Sequence, residues 1–130
     1  MKKNSETILI ILFSVTIVFH LLVLLGLIPY DMVWGGRLQT KTEMIQFEVV
    51  SIIVNLLFLF VLSIRRGWFK VKVSNSIIKG FLWFMVGLFL LNTVGNLLSE
   101  SRMEMLIFTP LTFIVVMLLL ISLLAPNPKK

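Results

Sequence analysis

The chain contains no cysteine. Disulfides, thiolate nucleophiles and cysteine metal sites are therefore excluded. It has a single histidine, too few imidazoles for a histidine-based metal site, and no cofactor is expected. Charge is scarce as well. Asp, Glu, Lys and Arg make up 14% of the 130 residues, against about 25% in a soluble domain. Hydrophobic residues take their place, at 58%, and mean hydropathy is +1.05. These proportions exclude a disordered segment, argue against a soluble domain and point to one integral membrane domain over residues 1–130.

Net charge is +6, but the charges sit in the gaps between apolar runs. That distribution speaks of membrane topology, with no nucleic-acid partner. Four apolar runs stand out, at 8–28, 44–64, 77–98 and 105–124. At 1.5 Å per residue each is about 30–33 Å long, enough to cross a hydrocarbon core. The stretch VVMLLLISLL (Val115–Leu124) is apolar on every side, whereas a soluble helix needs a polar stripe. The fold class expected is all-α, a four-transmembrane-helix bundle with antiparallel neighbours.

Punctuation supports this division. Pro29 follows the first run. Thr40-x-x-Glu43 and Ser101-x-x-Glu104 read as capping boxes for the second and fourth helices. Gly67, after Arg65 and Arg66, suits a helix C-terminus. Lys2 and Lys3 precede the first run as in a secretory signal. The run is too long for a signal core, however, and no small-x-small site precedes Pro29, so a retained anchor is expected.

Lysine and arginine counts set the expected orientation. One side would hold Lys2, Lys3, Arg65, Arg66, Lys70, Lys72, Lys79, Lys129 and Lys130, and the other Arg37, Lys41 and Arg102. Nine against three places both termini in the cytoplasm of a plasma-membrane protein. The middle loop RRGWFKVK reads as an interfacial anchor on anionic headgroups, and Tyr30 and Trp34 fit an outer aromatic belt.

Polar residues inside the spans carry the functional signal, because hydrocarbon makes them costly. Glu48, Ser51 and Asn55 follow i, i+3, i+7 spacing and share one face of the second helix, within about 60° of each other. Asn92 and Asn96 pair on the third helix beside Gly95, Thr109 and Thr112 on the fourth, and Thr16 and His20 on the first. Measured from each run's midpoint, Asn55 lies about mid-bilayer and His20 about 3 Å toward the outside. Ser51 and Thr112 lie about 4–5 Å out, Asn92 about 7 Å, Thr109 and Glu48 about 8–9 Å and Asn96 about 13 Å. Pro110 lacks an N–H and frees the carbonyl of Leu106 in the same region. The stripes are expected to converge on a polar cavity in the outer half of the bundle. Asn, Ser and Thr also serve as glue between membrane helices. Glu48 stands apart, as a deep acid whose structural alternatives are an ion pair with Arg37 or a hydrogen bond to His20.

In the loop PYDMVWGGRLQTK (Pro29–Lys41), Gly35-Gly36 permits a tight turn that would point Arg37 back over the bundle as part of a lid. The pair is not a nucleotide fingerprint, because no strand precedes it and G-x-G-x-x-G is absent. Ser, His and acid are all present, but Ser51 and Glu48 match no nucleophile elbow.

The run VWGGRLQTKTEMIQFEVVSIIVN (Val33–Asn55), with LLNTVGNLLS (Leu90–Ser99) and FTPLT (Phe108–Thr112), resembles a group of small bacterial four-helix integral membrane proteins. The resemblance covers most of the chain from His20 onward and implies no activity. Small multidrug-resistance transporters compare in size and helix count. Their essential acid lies in the first helix, where this chain has none beyond Glu6, and their dual-topology members have balanced loop charges.

The expectation that follows is a non-enzymatic protein that binds a small amphipathic molecule or lipid headgroup. Glu48, Asn92 and Asn96 would supply contacts, with His20 at the base and Arg37, Asn55, Ser51, Thr109 and Thr112 around it. One alternative is an accessory subunit whose stripes contact another membrane protein. Another is an intramembrane enzyme using Glu48 and His20 as an acid/base pair.

Overall fold

The computed structural model describes residues 1–125. Lys129 and Lys130, two of the residues behind the expected orientation, lie outside that range. The helices are α1 (Lys2–Leu24), α2 (Lys41–Arg66), α3 (Asn75–Leu97) and α4 (Thr109–Leu124). A π-helical turn over Glu104–Phe108 leads into α4, and 3-10 turns at Tyr30–Met32 and Trp34–Gly36 shape the α1–α2 loop. All four helices, α4 together with its π turn, are long and apolar enough to span a membrane.

Local chemistry explains the boundaries. α1 ends at Leu24, four residues before the expected end, because Gly26 adopts φ +76°. Its N–H bonds Val23 O and the Leu27 N–H bonds Leu22 O, the paired bonds of a Schellman motif. Gly67 closes α2 in the same way at φ +85°. Thr40 and Glu43 form the expected capping box. The expected box at Ser101 and Glu104 does not form. The Ser101 hydroxyl donates to Met32 O, and the Glu104 carboxylate serves Gly35 and Ser99. The π turn sits just before Pro110. The N–H of Thr109 reaches back to Glu104 O, and this wider winding accommodates the region where the proline ring would crowd a preceding carbonyl.

α1 packs against α2 and α4, and α3 packs against α4, while α2 and α3 scarcely touch. At the end where α1 begins, Leu9, Phe13, Phe58, Leu62, Leu82, Met85, Val116 and Leu119 form one buried cluster. In hydrocarbon, contact packing rather than removal from water holds such a cluster. Val23, Val33 and Met44 form a second cluster that seats the α1–α2 loop on the opposite end. Only 22–28% of the apolar window of each span is buried within the molecule. Large side chains such as Val18, Ile53, Phe84 and Ile107 point outward, as lipid-facing residues do.

Candidate functional site

The site begins with two carboxylates that hold down a loop. Glu48, on α2, is 1% exposed. Its Oε2 lies 2.6 Å from His20 Nδ1 of α1, and its Oε1 accepts from Trp34 Nε1 at 2.8 Å. Glu104, in the π turn, accepts from the Gly35 N–H at 2.7 Å and from the Ser99 hydroxyl. Trp34, Gly35 and Gly36 all have positive φ, at 56°, 71° and 69°. A left-handed conformation costs a non-glycine residue about 1–2 kcal/mol, and the bond to Glu48 helps offset that cost at Trp34. The loop is thus tied to α2 on one side and to the α3–α4 connection on the other.

Below the loop, between the halves of the helices nearest it, lies a cavity of about 760 Å³, within the range of small-molecule sites. All four helices line it. Phe13, Phe58 and Phe89 lie at its deep end, with mutual ring-centroid separations of 5.5–6.0 Å. Polar lining comes from Thr16, His20, Ser51, Asn55, Asn92, Asn96, Ser99, Thr112 and the acid Glu104, and Trp34, Gly35 and Arg37 lie at the loop end. Val50 of α2 and Leu91 of α3 line the cavity and are also exposed. The cavity therefore opens to the flank where those two helices separate.

Asn55 is 8% exposed. Its Nδ2 donates to Ser51 O at 2.8 Å, which fixes the amide orientation and leaves Oδ1 buried without a donor among the described residues. Arg37 is exposed at the rim and has no hydrogen-bond or ion-pair partner among the described residues. Its side chain lies along Gly35, where an added Cβ would sit 3.3 Å from Arg37 Nε.

The structure gathers His20, Arg37, Ser51, Asn55, Asn92, Asn96 and Thr112 around one cavity. Two sequence-derived candidates are placed differently. Glu48 stands behind the lining with both oxygens engaged, so it orients His20 and Trp34 and does not itself face the cavity. The Thr109 hydroxyl turns back to Glu104 O at 3.4 Å, within its own helical turn. His20 is not at the base. With α1 centred on Phe13, His20 lies about 10 Å from the helix midpoint, level with Glu48 at about 8 Å. The Thr112 and Thr93 hydroxyls lie 3.0 Å apart and tie α4 to α3. Trp34 donates to Glu48, and its ring is tilted against that of Phe47 at a centroid separation of 4.9 Å.

Sequence reasoning missed Glu104 as a carboxylate that ties the loop down. The signal was its position opposite the Gly-Gly turn, which only the fold reveals. It also missed a buried ion pair at the other end of the bundle. Glu6 Oε1 accepts from Arg65 Nε at 2.9 Å and from Ser122 Oγ at 3.0 Å, and Arg65 Nη2 donates to Ser122 O at 2.6 Å. Glu6 lies near the start of α1, and Arg65 in the last turn of α2. Antiparallel packing brings those ends to one level.

No family model matches the chain, and no curated protein or solved structure shows significant similarity to it.

Proposed function

We propose that the chain is a multi-pass plasma-membrane protein, with both termini in the cytoplasm, that binds a small amphipathic molecule or lipid headgroup in this cavity. The loop Pro29–Lys41 then lies on the outer side and roofs the site. The nine-to-three distribution of lysine and arginine favours that orientation. The observation that carries the reading is the polarity gradient along the cavity, from Arg37, His20, Asn92 and Asn96 near the loop to the Phe13–Phe58–Phe89 cluster at depth. An amphiphile has the same gradient. The buried Oδ1 of Asn55 supplies an acceptor that a bound hydroxyl or amide would satisfy. The opening between α2 and α3 suits entry from the bilayer.

The test is thermal unfolding of the full chain in phosphatidylcholine nanodiscs with dodecyl maltoside as probe. The reading expects a rise in Tm that Asn92→Leu and Asn96→Leu diminish. Unchanged shifts in both variants would remove its basis.

A second reading rests on the 2.6 Å contact between His20 and Glu48. A carboxylate that orients an imidazole, whose other nitrogen has no protein partner among the described residues, is the arrangement of a general base. This reading requires turnover of a bound amphiphile that His20→Gln abolishes.

A further inference from the structure

Arg37 lines the cavity without an ion-pair partner among the described residues, and the carboxylates near it, that of Glu104 in the cavity lining included, are engaged by other donors. Glu48 is spent on His20 and Trp34, and Glu104 on Gly35 and Ser99. Neither pairs with Arg37. Asp31, in the same loop, forms no ion pair with it, and the ion pairs among the described residues are those of Glu48 and Glu6. Arg37 is therefore a cation at the cavity rim with no ion-pair partner among the described residues.

Its position is built by the chain. The left-handed run Trp34–Gly35–Gly36 reverses the backbone, and the absent side chain of Gly35 leaves the space in which the Arg37 arm lies. The two carboxylates fix that run from opposite sides. The loop thus presents a guanidinium, a rigid fork of donors suited to carboxylate and phosphate oxygens, above an aromatic floor.

From this geometry we propose that the occupant is an anionic amphiphile, its charged group on Arg37 and its alkyl portion running between α2 and α3 toward Phe13, Phe58 and Phe89. This rests on the cavity being a binding site and adds the sign of the ligand's charge. The anion is a carboxylate or a phosphate, so a fatty acid and a single-chain phospholipid both satisfy it.

The experiment uses the full chain in phosphatidylcholine nanodiscs at matched probe mole fractions. The probes are laurate, 1-lauroyl lysophosphatidylglycerol, dodecyl maltoside, dodecyltrimethylammonium and inorganic phosphate. At least one anionic amphiphile should bind about tenfold or more tightly than the maltoside, and the stronger of the two identifies the source of the anion. Arg37→Gln should reduce that probe to the level of the maltoside, and Arg37→Lys should restore part of the difference. Because Arg37 is exposed, neither change should unfold the bundle.

The proposal is overturned if the trimethylammonium probe binds as well as the anions, if Arg37→Gln changes nothing, or if inorganic phosphate alone reproduces the Arg37-dependent shift. Should the maltoside still bind and Asn92→Leu weaken it, the cavity reading survives and the charge assignment falls. If no chain-bearing probe raises Tm, both fall.

Discussion

Glu48 holds His20 and Trp34 at once, one on each oxygen, at 2.6 Å and 2.8 Å. An indole N–H can only donate, so Glu48 must accept from Trp34, and an ionised Glu48 accepts from His20 Nδ1 as well. α1, α2 and the loop are joined through a single buried carboxylate.

Glu48→Gln should change the histidine tautomer. The amide oxygen must serve Trp34, which leaves the amide NH2 facing His20 Nδ1 and moves the ring proton to Nε2. Nitrogen-15 chemical shifts of His20 read this directly. An Nδ1–H that persists in the variant would contradict the arrangement.

Glu104→Ala should loosen the loop while leaving the helices intact. It removes the acceptor of the Gly35 N–H and of the Ser99 hydroxyl, each a charge-assisted bond contributing about 1.5–3 kcal/mol. Hydrogen exchange at the loop amides should quicken by tenfold or more, with the centres of α2 and α3 unaffected.

Glycines divide by position. Gly35→Ala meets Arg37 and a φ of +71° together, so it should destabilise the loop by about 1–2 kcal/mol. Gly80→Ala, inside α3 with nothing within 4 Å of the new methyl group, should be neutral or stabilising by up to about 1 kcal/mol. Thermal unfolding and loop hydrogen exchange separate the two effects.

Asn55→Leu should raise stability by about 1 kcal/mol, because it removes a buried acceptor that lacks a donor. It should also weaken binding of any hydroxyl-bearing amphiphile. A loss of Tm without ligand would show that the amide contributes more through its bond to Ser51 than its unmet oxygen costs.

At the opposite end, Arg65→Met leaves Glu6 buried without its cation and should cost about 3–5 kcal/mol. Glu6→Leu combined with Arg65→Met should recover most of that loss, since two apolar groups replace two buried charges. A double-mutant cycle measured by reversible unfolding in detergent gives the coupling.

Much of the fold was legible in the sequence because its signals are local. Four long apolar runs, the Thr40–Glu43 capping box and the Gly67 terminus depend on neighbours a few residues apart. The end of α1 is an exception: Pro29 bounds the apolar run, but the left-handed Gly26, three residues earlier, ends the helix. With that end, His20 lies about 7 Å further from the helix midpoint than the run 8–28 implies, level with Glu48, and of the two structural alternatives for that acid the structure holds the hydrogen bond to His20.

Composition and periodicity determined that these residues form four apolar helices with polar stripes, because backbone satisfaction and helix periodicity act along the chain. Which polar group meets which was decided by helix packing and by the path of the Trp34–Gly36 turn. Glu48 and His20 lie 28 residues apart, and Gly35 and Glu104 69 residues apart. No spacing rule along the sequence connects them. Their pairing, which leaves Arg37 without an ion-pair partner among the described residues, follows from which helix faces are turned toward one another in three dimensions.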